Sequence, residues 1–389
     1  MQTKYRLLAL ACALGFAGSA LAQNQGITKT ELKIATIQDL SGPIAAIGKQ
    51  ARDGMQLRVD EANEQGGING RKIVLKVEDD GYDPKRAVLA AQKLVNQEKV
   101  FAMVGHIGTA ANLATFPVLF PKKVFNFMPL TAAREMYEPL NPLTYAFIAP
   151  YYQQIREAVP EMVKEKKLTK VCVIYQDDEF GEEVLKGTED GLKDIGMPLA
   201  EKASFKRGAT DFSSQVAKTK AAGCELVTLG TIIRETIGTI GTAKKMGFNP
   251  VFLGSAAAYS ELIPKLAGKA MDGLYATMAA QVPYTDDASN KPLAFWATKY
   301  KTRFNEDGGI FSAYGYIVMD AFLQAVAKTG PNLTTDGFIK TMENFSTQTD
   351  IFGSAPTTFT ATKHLGSTAW RLSQVQDGKW KVVSEYHTK

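Results

Sequence analysis

The chain has 389 residues, 45 basic against 40 acidic, with 45% hydrophobic side chains and three cysteines. That length exceeds one ordinary hydrophobic core, so two domains are expected. The near balance of charge gives no reason to expect nucleic acid as a partner.

The first residues, "MQTKYR", carry Lys4 and Arg6 and lead into the apolar run "LLALACALGFAGSALA". A basic start, a short apolar core and the exit Ala20-Leu21-Ala22 describe a secretory signal over residues 1–22, cleaved before Gln23. The run is short for a membrane anchor. Cys12 hints at a lipoprotein, but Ala9 stands where such signals usually carry leucine. A periplasmic location is the expectation. The mature chain then has 367 residues, with 43 basic and 40 acidic side chains. No later apolar run reads as long enough to span a bilayer.

From there strands and helices alternate. "ELKIATIQ" reads as a strand. "AAIGKQARDGMQLRVDEANEQ" has Ile47, Ala51, Met55, Val59 and Ala62 at helical steps, and Gly66-Gly67 ends it. "KIVLKVED" is the next strand, and Asp83-Pro84 opens the helix "PKRAVLAAQKLVNQ". "VFAMVG" and "KVFNFM" are further strands. After "TYAFIAP" the pattern restarts with the helix "QQIREAVPEMVKEK", the strand "KVCVIYQ" and the helix "GEEVLKGTEDGLKDIG". "LVTLG", "PVFLG" and "MDGLYATMA" complete this second unit, and "WRLSQVQDGKWKVV" reads as a hairpin around Asp377-Gly378. Such alternation predicts parallel sheets covered by helices, in two α/β units without a flexible linker between them. Cys172 and Cys224 each sit beside a strand of the second unit. Two buried free thiols are the preferred expectation, with a bond across adjacent strands as the alternative.

Catalytic signals are sparse. His106, His364 and His387 have no zinc-ligand spacing, and no G-x-S-x-G elbow occurs. "GPIAAIGKQ" fails as a phosphate loop, with five residues between its glycines and Gln50 in place of Ser or Thr. The chain reads as a non-enzyme without metal or cofactor. The loops at the carboxyl ends of parallel strands are the usual ligand positions. They include "GHIGTAAN", where Gly108-Thr109 at a strand-to-helix step makes either an ordinary turn capped by Thr109 or an anion cradle.

The segments "SGPIAAIGKQARDGMQLRVDEANEQGGINGRKI", "VEDDGYDPKRAVLAAQKLV", "VGHIGTAAN", "VCVIYQDDEFGEEVLKG" and "RGATDFSSQVAKTKAAGCELV" keep one order and spacing over about residues 31–330. Together they resemble the periplasmic solute-binding proteins of branched-chain amino-acid ABC transporters, the leucine/isoleucine/valine type. The resemblance implies an α/β fold of type I periplasmic binding proteins, with two Rossmann-like lobes joined by a three-crossover hinge. The crossovers fall near residues 147–151, 277–281 and 350–355. The lobes would be 23–149 with 279–351, and 150–278 with 352–389. The implied partners are a small-molecule solute and an inner-membrane ABC permease, with the chain a monomer.

In such a site, Gly108 and Thr109 would hold a ligand carboxylate, with Thr109 at the position of the family's carboxylate-binding serine. His106, Leu130, Thr131 and Ala132 would lie beside them, and Ile47, Tyr152, Phe180, Ile232 and Ala256 would face the rest of the solute. The second contact loop departs from the family's P-(Gly/Ala)-Ala-Thr, reading Pro129-Leu130-Thr131-Ala132, which moves its hydroxyl to Thr131. Tyr82 and Gly108 stand where the family often has a cysteine pair. Ala256 replaces the glutamate that pairs with an amino acid's ammonium, and a buried ammonium without a carboxylate is costly. The departures favour a carboxylic acid with a hydrophobic or aromatic body. Asp177, Asp178 or Glu235 as a substitute carboxylate, and Arg134 as a second carboxylate partner, are the alternatives. A sensory module for a membrane receptor and a periplasmic enzyme are the competing functions.

Overall fold

A computed structural model describes residues 25–286 and 290–388. The signal expected at 1–22 lies outside the described residues. The first sheet contains β1 (Glu31–Gln38), β2 (Lys72–Asp79), β3 (Ala102–Val104), β4 (Phe125–Phe127) and β5 (Thr144–Tyr145), in the order β2-β1-β3-β4-β5. All of its pairings are parallel. Parallel neighbours need crossovers, here α1 (Ala45–Glu64), α2 (Pro84–Lys93) and α3 (Thr109–Leu119). Asp83 caps α2 by accepting from the N–H groups of Lys85 (2.7 Å) and Arg86 (3.4 Å), with Pro84 in the first turn.

The second sheet repeats that winding. After α4 (Tyr151–Lys166) come β6 (Val171–Gln176), α5 (Glu179–Asp194), β7 (Glu201–Phe205), α6 (Ser213–Ala221), β8 (Leu226–Gly230), α7 (Ile233–Lys245), β9 (Val251–Gly254), α8 (Leu262–Ala267) and β10 (Tyr275–Met278). Strands β7-β6-β8-β9-β10 have the same relative order as the first five. The chain then returns to the first sheet's side with α9 (Lys291–Phe304), α10 (Ile310–Thr329) and α11 (Thr335–Met342). Phe338 of α11 meets Phe125 and Phe127 of β4 at ring-centroid distances of 4.9 and 6.0 Å. α10 crosses α1 closely, because Gly54 and Gly315 bare the backbone there. A Cβ at Gly54 would lie 1.9 Å from the Ser312 carbonyl oxygen, and one at Gly315 would lie 2.1 Å from that of Ala51. Arg58 of α1 donates to Asp320 of α10 at 2.6 Å.

Three expectations change. First, α10 is long and apolar enough to cross a membrane by length and composition, contrary to the sequence reading. Most of it is buried against the rest of the chain, as in a core helix. Second, the stretch after 350–355 does not run straight to the second sheet. β11 (Asn344–Ser346) pairs antiparallel with β12 (Thr358–Thr360), and Leu365 bridges to Ala146 beside β5. Buried Phe359 and His364 hold this segment by packing on Tyr145, at 5.8 and 4.4 Å between ring centroids. The chain joins the second sheet only at β13 (Arg371–Gln376), antiparallel to β10, and turns through Asp377-Gly378 into β14 (Lys379–Val382). Both turn residues have positive φ (52° and 74°), as a tight hairpin requires.

Third, Cys172 and Cys224 are bonded, with Cα atoms 5.9 Å apart. Cys172 lies in β6, and α6 returns the chain to Cys224 just before β8, the neighbour of β6. The bridge closes a loop of 52 residues. The double variant Cys172→Ser/Cys224→Ser is therefore expected to lose about 2–4 kcal/mol of unfolding free energy, measured by urea titration. The same titration tests His364. The residue is 5% exposed, and its Nδ1 lies 2.8 Å from the Thr144 carbonyl oxygen. Burial holds its pKa below the ordinary histidine value, so the folded chain refuses a proton that the unfolded chain accepts. Stability is expected to fall as pH drops from about 7 towards 5, and His364→Gln should flatten part of that slope.

Candidate functional site

In both sheets the strand order reverses direction, between β1 and β3 and between β6 and β8. A crevice opens at the carboxyl ends of strands at such a point. The two crevices face each other. Between them two adjoining voids of about 30 and 20 Å³ share Leu130, Thr131, Tyr151, Ala257 and Phe311 and form one chamber.

The first sheet supplies the polar end. The parallel bridge of Ile107 to Leu130 prolongs the β3–β4 ladder and sets Thr109 beside Thr131. Their Oγ1 atoms are 2.6 Å apart. Two hydroxyls sharing one hydrogen bond keep one proton free to donate. Thr109 is also the first residue of α3, whose opening N–H groups have no partner within the helix. The cap position belongs to Gly108 and not to Thr109. Gly108 has φ +91°, and a Cβ there would lie 3.0 Å from the Tyr82 ring, so glycine meets both a backbone and a space requirement.

The remaining walls are apolar. Ile44 and Ile47 come from the start of α1, Phe180 from α5, and Ile232 from the loop before α7. Ala256 and Ala257 come from a 3-10 turn after β9. Phe311 and Tyr314 of α10 close the far side. The rings of Tyr151 and Phe180 meet edge to face at 5.2 Å, as do those of Phe147 and Tyr314 at 5.8 Å. Among the described residues, none that lines the chamber is charged. Burial pushes the Tyr151 phenol up to about 12, so it stays protonated across the physiological range.

Eight sequence-selected residues meet here: Ile47, Gly108, Thr109, Leu130, Thr131, Phe180, Ile232 and Ala256. Three do not line the chamber. His106 is fully buried behind it, with Nε2 3.9 Å from Asp80. Ala132 offers its carbonyl to the Tyr151 N–H at 2.7 Å. Tyr152 turns away, its hydroxyl donating to Asp190 at 2.9 Å and its ring lying under the Arg134 guanidinium. One step along α4 rotates a side chain by about 100°, so Tyr151 takes the inward place. Tyr82, Phe311 and Tyr314 were also missed.

The alternative charges are engaged elsewhere. Arg134 forms a salt bridge at 2.6 Å with buried Glu183 of α5, which spans the two crevices. Asp177 pairs with Lys206. Asp178 caps α5 and accepts from Arg207, whose other nitrogen donates to the Tyr82 carbonyl at 2.9 Å. Glu235 pairs with Arg234 at 3.1 Å, and its buried Oε2 has no hydrogen-bond partner among the described residues.

This geometry can be set beside known proteins. A family profile described as periplasmic binding protein matches residues 31–379. The chain belongs to the periplasmic binding protein family. Within the family it is leucine-binding-protein-like. It is 26% identical over 325 residues to the leucine-, isoleucine-, valine-, threonine- and alanine-binding protein of Pseudomonas aeruginosa, covering 84% of each chain. The fold matches a fatty acid ABC transporter substrate-binding protein from Thermomonospora curvata, with a TM-score of 0.84, 22% identity and coverage of 94% and 95%. It also matches a branched-chain amino acid ABC transporter protein from Thermus thermophilus with bound valine, at a TM-score of 0.82, 16% identity and coverage of 93% and 98%. The named relatives are binding proteins, and the family is a periplasmic one.

Proposed function

We propose that this chain is the exported solute-binding component of an ABC importer, capturing a small carboxylic acid with a hydrophobic or aromatic body and no α-ammonium. The carrying observation is the chamber itself, in which a hydroxyl pair meets a helix N-terminus inside walls without a charged side chain. The Thr109–Thr131 pair and the first N–H groups of α3 receive the carboxylate. A helix start contributes roughly 0.3–1 kcal/mol to an anion, and up to about 2 when partly buried. The aromatic and aliphatic walls take the body of the acid, at about 25 cal/mol per Å² buried.

We take the lobes as 23–149 with 279–366 and 150–278 with 367–389; the β11–β12 pairing and the Leu365–Ala146 bridge support giving residues 352–366 to the first. Closure buries the solute, and the closed form docks on an inner-membrane permease. No step in this cycle requires chemistry on the solute. Relatives that bind leucine, valine or fatty acids support a carboxylate ligand but differ over the ammonium. A second reading keeps an α-amino acid as solute. The unpaired Glu235 Oε2 favours it, since α7 begins next to Ile232 in the chamber wall.

Titration calorimetry with leucine, its 2-oxo analogue and benzoate separates the two. The proposal expects either acid lacking the ammonium to bind at least as tightly as leucine. Tight leucine binding with none for the 2-oxo acid would establish the second reading, and Glu235→Gln should then abolish it. Thr109→Val keeps the shape and removes the hydroxyl. It is expected to weaken the bound acid by about 1.5–3 kcal/mol in the same calorimeter, the range for a hydrogen bond to a charged group.

A further inference from the structure

The chamber is small, and it does not end the apolar surface. A groove of about 390 Å³ lies on the other side of Ile44. Pro43, Ile44 and Ala46 from the first lobe face Ile233, Ile237, Leu262 and Leu266 from the second. Ile44 lines both spaces, and the neighbours Ile232 and Ile233 line the chamber and the groove in turn. Among the described residues lining the groove, only Arg234 is charged, and it is paired with Glu235. Leu266 forms the groove's outer wall and is 69% exposed.

We infer that the solute carries an aliphatic extension that passes Ile44 and lies in this groove. The inference rests on the carboxylate reading above and narrows it to acids with a chain longer than the chamber holds. Continuity selects the occupant. An acid fixed by its carboxylate at Thr109 and Thr131 directs its far end along the apolar wall, and the groove continues that wall with aliphatic side chains from both lobes. A larger cavity of about 490 Å³ touches the chamber through Phe147 and Ile148. Its lining includes Asp320, Asp350, Gln324 and Gln348, which suit an aliphatic chain poorly.

The test is calorimetry with straight-chain monocarboxylates from butanoate to decanoate, on the unaltered chain and on two variants. Ala46→Trp fills the groove from an exposed position, and Leu266→Gln makes its exposed wall polar. In the unaltered chain, affinity is expected to rise about fourfold per methylene, equivalent to ~0.8 kcal/mol, once the chain outgrows the chamber. The variants should bind the shortest acids as before and lose that rise. Affinity that stays flat with length would overturn the inference while leaving the carboxylate reading intact. An equal rise in all three proteins would also overturn it, by sending the chain elsewhere. Failure of every acid to bind would overturn the carboxylate reading and this inference with it.

Discussion

Parallel strand pairing is the constraint on which everything else hangs. A strand cannot pair parallel with its successor across a short turn, so each such pairing needs a crossover of a dozen or more residues, usually a helix, to carry the chain back. Both sheets obey this with the same winding order, which gathers the carboxyl-end loops of each at a single reversal point. The chamber exists because two such points face each other. Its polar end follows from register: Ile107 opposite Leu130 leaves Thr109 and Thr131 side by side just past the ladder.

Charge is sorted around this chamber. Its described walls are uncharged, while several contacts that join the two sides around it are ionic or strongly polar. Arg134 reaches Glu183, Arg207 reaches the Tyr82 carbonyl, and Glu261 accepts from Gln50 at 2.7 Å and from the Ile310 N–H at 3.0 Å. Burial pushes the Glu183 carboxyl up, against the pull of the guanidinium that faces it. Breaking one member of such a buried pair would leave the other charge or polar group without its partner, which is costly. The chamber surface is left apolar except where the two threonines and the helix start project.

Much of the fold was legible because its signals are local. Alternating strands and helices, the Asp83-Pro84 helix start and the Asp377-Gly378 turn each follow from a few adjacent residues. Thr109 and Thr131 were legible through their positions after strands. Tyr152 was chosen in place of Tyr151 because sequence does not reveal the rotation of a helix to within one residue. Phe311 and Tyr314 escaped notice for a different reason. They lie far along the chain, and only the return of α10 across α1 brings them to the first sheet. The disulfide had the same obstacle, since pairing depended on α6 delivering Cys224 to the neighbour of β6. The segment around β12 follows tertiary packing on Tyr145, which no periodicity in "SAPTTFTATKHLGS" announces.

The pairing of α10 with α1 matters before folding as well as after it. Any route that carries the unfolded chain through a bilayer presents Ile310–Thr329 as a segment of spanning length. Asp320 sits at its midpoint, where a carboxylate opposes insertion by about 2.5–3.5 kcal/mol. In the folded protein the same side chain accepts from Arg58 at 2.6 Å. In any such passage Asp320 would discourage the helix from lodging among lipids, and in the folded protein it helps to seat the helix on α1. A change to leucine there would weaken both restraints together, trading a core helix for a stop-transfer signal.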